Sequence, residues 1–194
     1  RRVAVLAEFK DTAATAHHVR VGDLAAEVAI EMGETTEFVD RLRLAARLHD
    51  IGKVAVADAV LFKPGALTAA EFETIKTHTT LGAEMLADSP SPLIQLAAEL
   101  AATHHERWDG TGYPNGLVGE AIPLSGRIVT VADVYDALIS ARVYKHAWSS
   151  VDAVNYVIAG SGSQFDPRIV HAFIVVMTRR DPSLMSLLDL SALA

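Results

Sequence analysis

Apolar residues recur along this chain three and four positions apart, in one segment after another. Between Thr12 and Met32 they fall at Val19, Leu24, Val28 and Ile30, with Gly33 following as a stop. Thr36 is placed to cap a second helix carrying Phe38, Val39, Leu42, Leu44 and Leu48. Thr68-Ala-Ala-Glu71 has the form of a capping box and opens a third helix that reaches about Asp88. Ser91-Pro92 starts a fourth, expected to run to about Arg107. Trp108 to Glu120 is glycine-rich and reads as a long loop, of the kind that usually carries function. Helices resume over Ser125–Ser140, Ser149–Ala159 and Asp166-Pro167 to Arg179, and a short one follows Asp181-Pro182. No lasting two-residue alternation of β-branched residues appears, so the expected fold is all-α.

Composition narrows the function. Apolar residues make up 51% of 194, enough for a sizeable core, and the net charge of −7 argues against duplex nucleic acid bound through a basic face. The absence of cysteine removes disulfides, thiolate metal sites and a Cys nucleophile, and fits a reducing compartment such as the cytoplasm. No apolar run is long enough to cross a bilayer. The chain opens on Arg1, so we expect a piece of a longer protein with a receiver or sensor domain upstream. On this division residues 1–11 end a linker or helix, 12–180 form the catalytic unit and 181–194 are a helical tail.

The histidines carry the chemistry. His17, His49 and His78 lie on three separate predicted helices and His104-His105 on a fourth, with Asp50 beside His49 and Asp133 after the glycine-rich loop. Imidazoles and carboxylates projecting from several helices suit a bundle that encloses metal ions, and the mixture fits Fe, Mn, Co, Ni or Zn better than Ca or Mg. Seven ligands exceed one ion's needs and suffice for two if Asp50 bridges. Paired ions are a standard device for hydrolysing phosphate esters. Lys53, three residues after Asp50, can reach the same cavity and hold a phosphate oxygen. His18, His146 and His171 read as structural or exposed. His18 in particular projects about 100° around the helix from His17.

The ordered blocks His17-His-Val-Arg20, His49-Asp-Ile-Gly-Lys53, His78-Thr-Thr-Leu-Gly82, His104-His-Glu-Arg-Trp-Asp-Gly-Thr-Gly-Tyr-Pro114, Ala132-Asp-Val-Tyr-Asp136, Ser140-Ala-Arg-Val-Tyr-Lys145 and Phe165-Asp-Pro167 resemble HD-GYP domains, a branch of the HD-superfamily helical bundles. The resemblance implies a cyclic di-GMP phosphodiesterase yielding linear pGpG, with a second cut to GMP left open, and Fe or Mn as its two ions. It implies one ion on His17, His49, Asp50 and Asp133, and another on Asp50, His78, His104 and His105. Asp50 and Lys53 would be catalytic, Arg142 and Lys145 would clamp phosphates, and Tyr113 would face a guanine or dock a diguanylate cyclase (GGDEF) domain. Ala13 stands where many members have a glutamate that supports a third ion, hence an expected binuclear site. Thr79, Val143 and Ala57 replace common prolines. Two other readings remain open: the same centre acting on another nucleotide or cyclic dinucleotide, and a weakly active module that docks a cyclase domain.

Overall fold

A computed structural model describes residues 14–140 and 147–189. Ala13, Arg142, Lys145 and His146 lie outside the described residues. Among the described residues, eight α-helices run in the order α1 (Ala14–Glu31), α2 (Thr36–Ala45), α3 (Asp58–Leu61), α4 (Ala69–Leu86), α5 (Pro92–Thr103), α6 (Leu124–Ile139), α7 (Ser150–Ala159) and α8 (Pro167–Arg180). Single turns of 3-10 helix at Ala46–Leu48, Ile51–Ala55, Gly119–Ala121 and Pro182–Ser186 join them. Among the described residues there is no strand, only two isolated bridges.

The predicted apolar stripes form the core, with two exceptions. Val21, Leu24, Ala25 and Val28 of α1 share one buried cluster with Leu42, Leu100, Ile128, Val131, Phe165 and Phe173. Each large side chain buried this way contributes roughly 1.5–3 kcal/mol. Ile30 and Leu44 stay about half exposed, because the helix face turned to the core is narrower than their spacing suggested. α1 packs on α2, α6 and α8, while α4 pairs with α5 and α5 rests on α2 and α6. The site forms where these two groups of helices meet.

Helix ends depart from the sequence expectations by short distances with long consequences. Thr35, not Thr36, caps α2, accepting from Phe38 N at 3.3 Å. Ser91 occupies the cap position of α5, but its side chain makes no capping bond there. The second helix tightens after Ala45 and releases His49 and Asp50 into a turn, with Asp50 at φ −96° and ψ 8°, a backbone region frequent at active sites. The fourth stops at Thr103, short of Arg107. Tertiary donors claim the next carbonyls: Thr130 Oγ1 donates to His104 O at 2.8 Å and Tyr113 N to His105 O at 3.2 Å. The capping box at Thr68 and Glu71 forms as expected.

Glu71 is held at about 2 by the Lys63 ammonium and the Thr68 N–H. An unfolded Glu titrates near ~4.3, so this contact supports the fold above that pH and is lost as pH falls toward 2. Glu71→Gln should therefore lower the melting temperature slightly at pH 7, by an amount that shrinks as pH falls from about 4 toward 2. A gap that persists in melts at low pH would contradict the charge argument.

Gly52 brings the Asp50 turn and α4 together. A methyl group there would strike the His78 carbonyl and lie 2.6 Å from Gly82 N. Gly52→Ala should cost about 1–3 kcal/mol in denaturant unfolding and weaken metal uptake, since it pries Asp50 from His78. Unchanged stability and uptake would show that the approach is not needed.

Candidate metal centre

Asp50 is buried at the middle of the site and its two oxygens face different histidines. Oδ1 lies 3.4 Å from His78 Nε2 and 3.6 Å from His104 Nε2. Oδ2 lies 3.4 Å from His49 Nε2 and pairs with Lys53 Nζ. On the far side of His49, Asp133 Oδ1 stands 3.7 Å from His49 Nε2 and 3.2 Å from His17 Nε2. His105 completes the other side, its ring 4.1 Å from that of His104 and 5.1 Å from that of His78.

The imidazoles are oriented by their outer nitrogens. His49, His78 and His104 donate from Nδ1 to the carbonyls of Ala46, Ile75 and Leu100 at 2.7, 2.7 and 2.9 Å. A carbonyl only accepts, so Nδ1 carries the proton and the Nε2 lone pair points into the pocket when the ring is neutral. His17 is turned the same way by Asp136, its Nδ1 2.7 Å from Oδ2. Arg20 holds Asp136 from behind, with Nε and Nη2 at 2.6 and 2.8 Å. Arg20 thus pairs with Asp136 rather than with Glu106. Glu106 instead accepts from Asn115 N and Leu117 N at 2.7 and 3.0 Å and fixes the glycine-rich loop.

The electrostatics match a cation site. Burial pushes His78 down to about 4 and His105 to about 2, so both are neutral at pH 7. Burial also disfavours charge on His17, but hydrogen bonds to Asp133 and Asp136 outweigh it and hold that ring at about 9. Asp50 resists its own burial because Lys53 and His49 keep its carboxyl well below the usual range. His17, neighbour to His49 and Asp133, helps keep Asp133 low.

His49 Nε2 and Asp50 Oδ1 are buried with no hydrogen-bond partner among the described residues. Such atoms are costly unless something coordinates them. Two donors bound about 2.1 Å from one ion sit roughly 3.0–3.4 Å apart at cis or tetrahedral angles, the range most of these pairs occupy. The residues therefore fit divalent metal ions. Two compact groups of donors stand out: His17, His18, His49 and Asp50, and Asp50, His78, His104 and His105.

Of the two readings given for His18, structural or exposed, exposure is excluded: the residue is buried, with its ring 5.3 Å from both His17 and His49. The 100° offset along α1 does not carry it away, because the pocket wraps around the helix: His17 turns to α6, and His18 to the Asp50 turn. The only sequence signal was its adjacency to His17. His171 is exposed, as expected. Tyr113 stacks on His105 at 4.8 Å, with Phe72 edge-on at 6.3 Å and Lys76 above it. Arg127 of α6 lies over the Trp108 ring, 5.7 Å from its centroid, and ties the loop toward α6.

A helical bundle that closes imidazoles and a shared carboxylate around a His49-Asp50 pair defines an HD-type metal centre. The chain belongs to the HD domain family, whose model matches residues 2–169. It is 48% identical over 170 residues to a cyclic di-GMP phosphodiesterase of Thermotoga maritima, covering 88% of this chain and 46% of that one. It is 42% identical over 171 residues to 3'3'-cGAMP-specific phosphodiesterase 2 of Vibrio cholerae, covering 88% of this chain and 32% of the relative. The chain thus spans less than half the length of these relatives. Its fold resembles Bd1817, an HD-GYP-type protein of Bdellovibrio bacteriovorus, with TM-score 0.64 and 20% identity over 84% of this chain and 51% of that one. The HD-GYP resemblance read from the motifs is borne out.

Proposed function

We propose that this chain is a metal-dependent phosphodiesterase that opens cyclic di-GMP to linear pGpG. The observation that carries the reading is the Asp50 carboxylate, which turns one oxygen to each of two histidine sets inside a buried pocket. His17, His49, Asp50 and Asp133 hold one divalent transition ion, Fe or Mn before Ni, Co or Zn, and Asp50, His78, His104 and His105 hold the second. Bound there, the ions supply an activated water and neutralise charge on the phosphodiester.

The side chains around them do the rest. Lys53 keeps its ammonium 38% exposed at the pocket edge, where it can leave Asp50 for a phosphate oxygen. Tyr113 keeps its phenol protonated, because burial and the charges of Asp50 and Asp133 push its titration up. It therefore offers an O–H donor and a ring face to a base. Arg142 and Lys145, in the 141–146 segment, match the family's phosphate clamp. This concentration of positive charge explains how a chain of net charge −7 attracts a dinucleotide. In the whole protein, 12–180 acts as a cytoplasmic output unit behind a receiver or sensor, and the Tyr113 loop is the docking point for a GGDEF domain. No helix among the described residues is long and apolar enough to cross a membrane.

The similarity to a 3'3'-cGAMP-specific relative favours one rival substrate. Mn- or Fe-loaded protein incubated with each cyclic dinucleotide and analysed by anion-exchange chromatography decides the matter. The expected result is pGpG from cyclic di-GMP, faster than any product from 3'3'-cGAMP, and none from an Asp50→Asn variant. Turnover confined to 3'3'-cGAMP would transfer the substrate, and no turnover of either would remove the enzymatic reading.

A further inference from the structure

His18 lies in the wall of the metal pocket, beyond the ligand set that the family resemblance implies. It is buried, its Nε2 is 4.0 Å from Asp50 Oδ2, and its ring meets the His49 ring edge-on at an interplanar angle of 85°. A separation of 4.0 Å is too long for a hydrogen bond, which needs about 2.7–3.2 Å. It is the right length for two donors on opposite sides of one ion, each about 2.1 Å from it. The donor atoms of His17, His18, His49 and Asp50 all lie within 4.8 Å of one another. Closure by about half an ångström brings the widest pair within reach of a common ion.

We infer that His18 is a metal ligand of the first half-site, donating Nε2 beside His17, His49 and Asp50, with Asp133 closing the same side. This deepens the dinuclear reading and rests on it. The chain thereby offers the first ion three imidazoles beside its carboxylates. The second half-site, built on His78, His104 and His105, does not involve His18.

The test is metal binding by the chelator-stripped chain, read by chelator competition with Co(II) and by X-ray absorption counting of histidine ligands. His18→Ala should weaken the first ion by roughly 10–100-fold or more, lower the histidine count, and leave the second ion's affinity unchanged. His18→Leu, which restores bulk without a donor, should do the same and covers the case in which the Ala variant folds poorly. His171→Ala, on the exposed face of α8, is the unaffected control. If both His18 variants bind two ions with wild-type affinities and histidine count, His18 is not a ligand and the dinuclear reading stands. If the wild-type chain itself takes up no ion, the dinuclear reading falls and the His18 assignment with it.

Discussion

Asp50→Asn should abolish stable metal loading in both half-sites and reduce phosphodiesterase turnover by roughly four orders of magnitude, the scale seen when one member of a catalytic unit is removed. The double effect follows from geometry. Oδ1 serves the His78 and His104 side and Oδ2 the His49 side, so no other substitution removes a donor from each set at once. The carboxamide keeps the volume but loses the charge and converts one oxygen into an N–H donor aimed at lone pairs. Fold stability should change far less than metal content, since the carboxylate is costly to bury in the first place. Elemental analysis of the purified variant, with a melting curve, separates these outcomes. A variant that still retains two ions per chain would show that Asp50 does not bridge.

Asp136→Ala is expected to weaken only the first half-site, by about 10–100-fold in metal affinity. Asp136 binds no ion in this arrangement; it aims His17 and anchors Arg20. Breaking a buried ion pair usually costs 3–5 kcal/mol. Here Arg20 is 47% exposed and recovers water when it loses its partner, so a loss of about 2–3 kcal/mol is expected in urea unfolding. Asp136→Asn keeps an acceptor for the His17 Nδ1 proton and should fall between the two. Competition experiments that show equal weakening of both ions would mean that Asp136 acts through the fold as a whole.

The sequence displayed the helices clearly, because apolar positions at 3.6-residue spacing can be buried only on one face of a helix. It displayed the seven residues that converge in the pocket because His and Asp stood in ordered blocks along the chain. Their outer partners were less visible. Arg20 and Asp136 are 116 residues apart, and nothing in either segment distinguishes Asp136 from Glu106 as the acid that Arg20 meets. Thr103 ends α5 through contacts from α6 and the glycine-rich loop, which no local propensity encodes. His18 was hidden for a similar reason. A helical wheel gives direction about one axis, but it does not show that the Asp50 turn curls round α1 to meet a second face.

Anomalous diffraction from crystals of the Mn- or Fe-loaded chain bears most directly on the dinuclear centre. Two peaks about 3.5–4 Å apart, with one Asp50 oxygen toward each, are expected. A single peak, or peaks that leave Asp50 uncoordinated, would contradict the shared carboxylate on which the proposed chemistry depends.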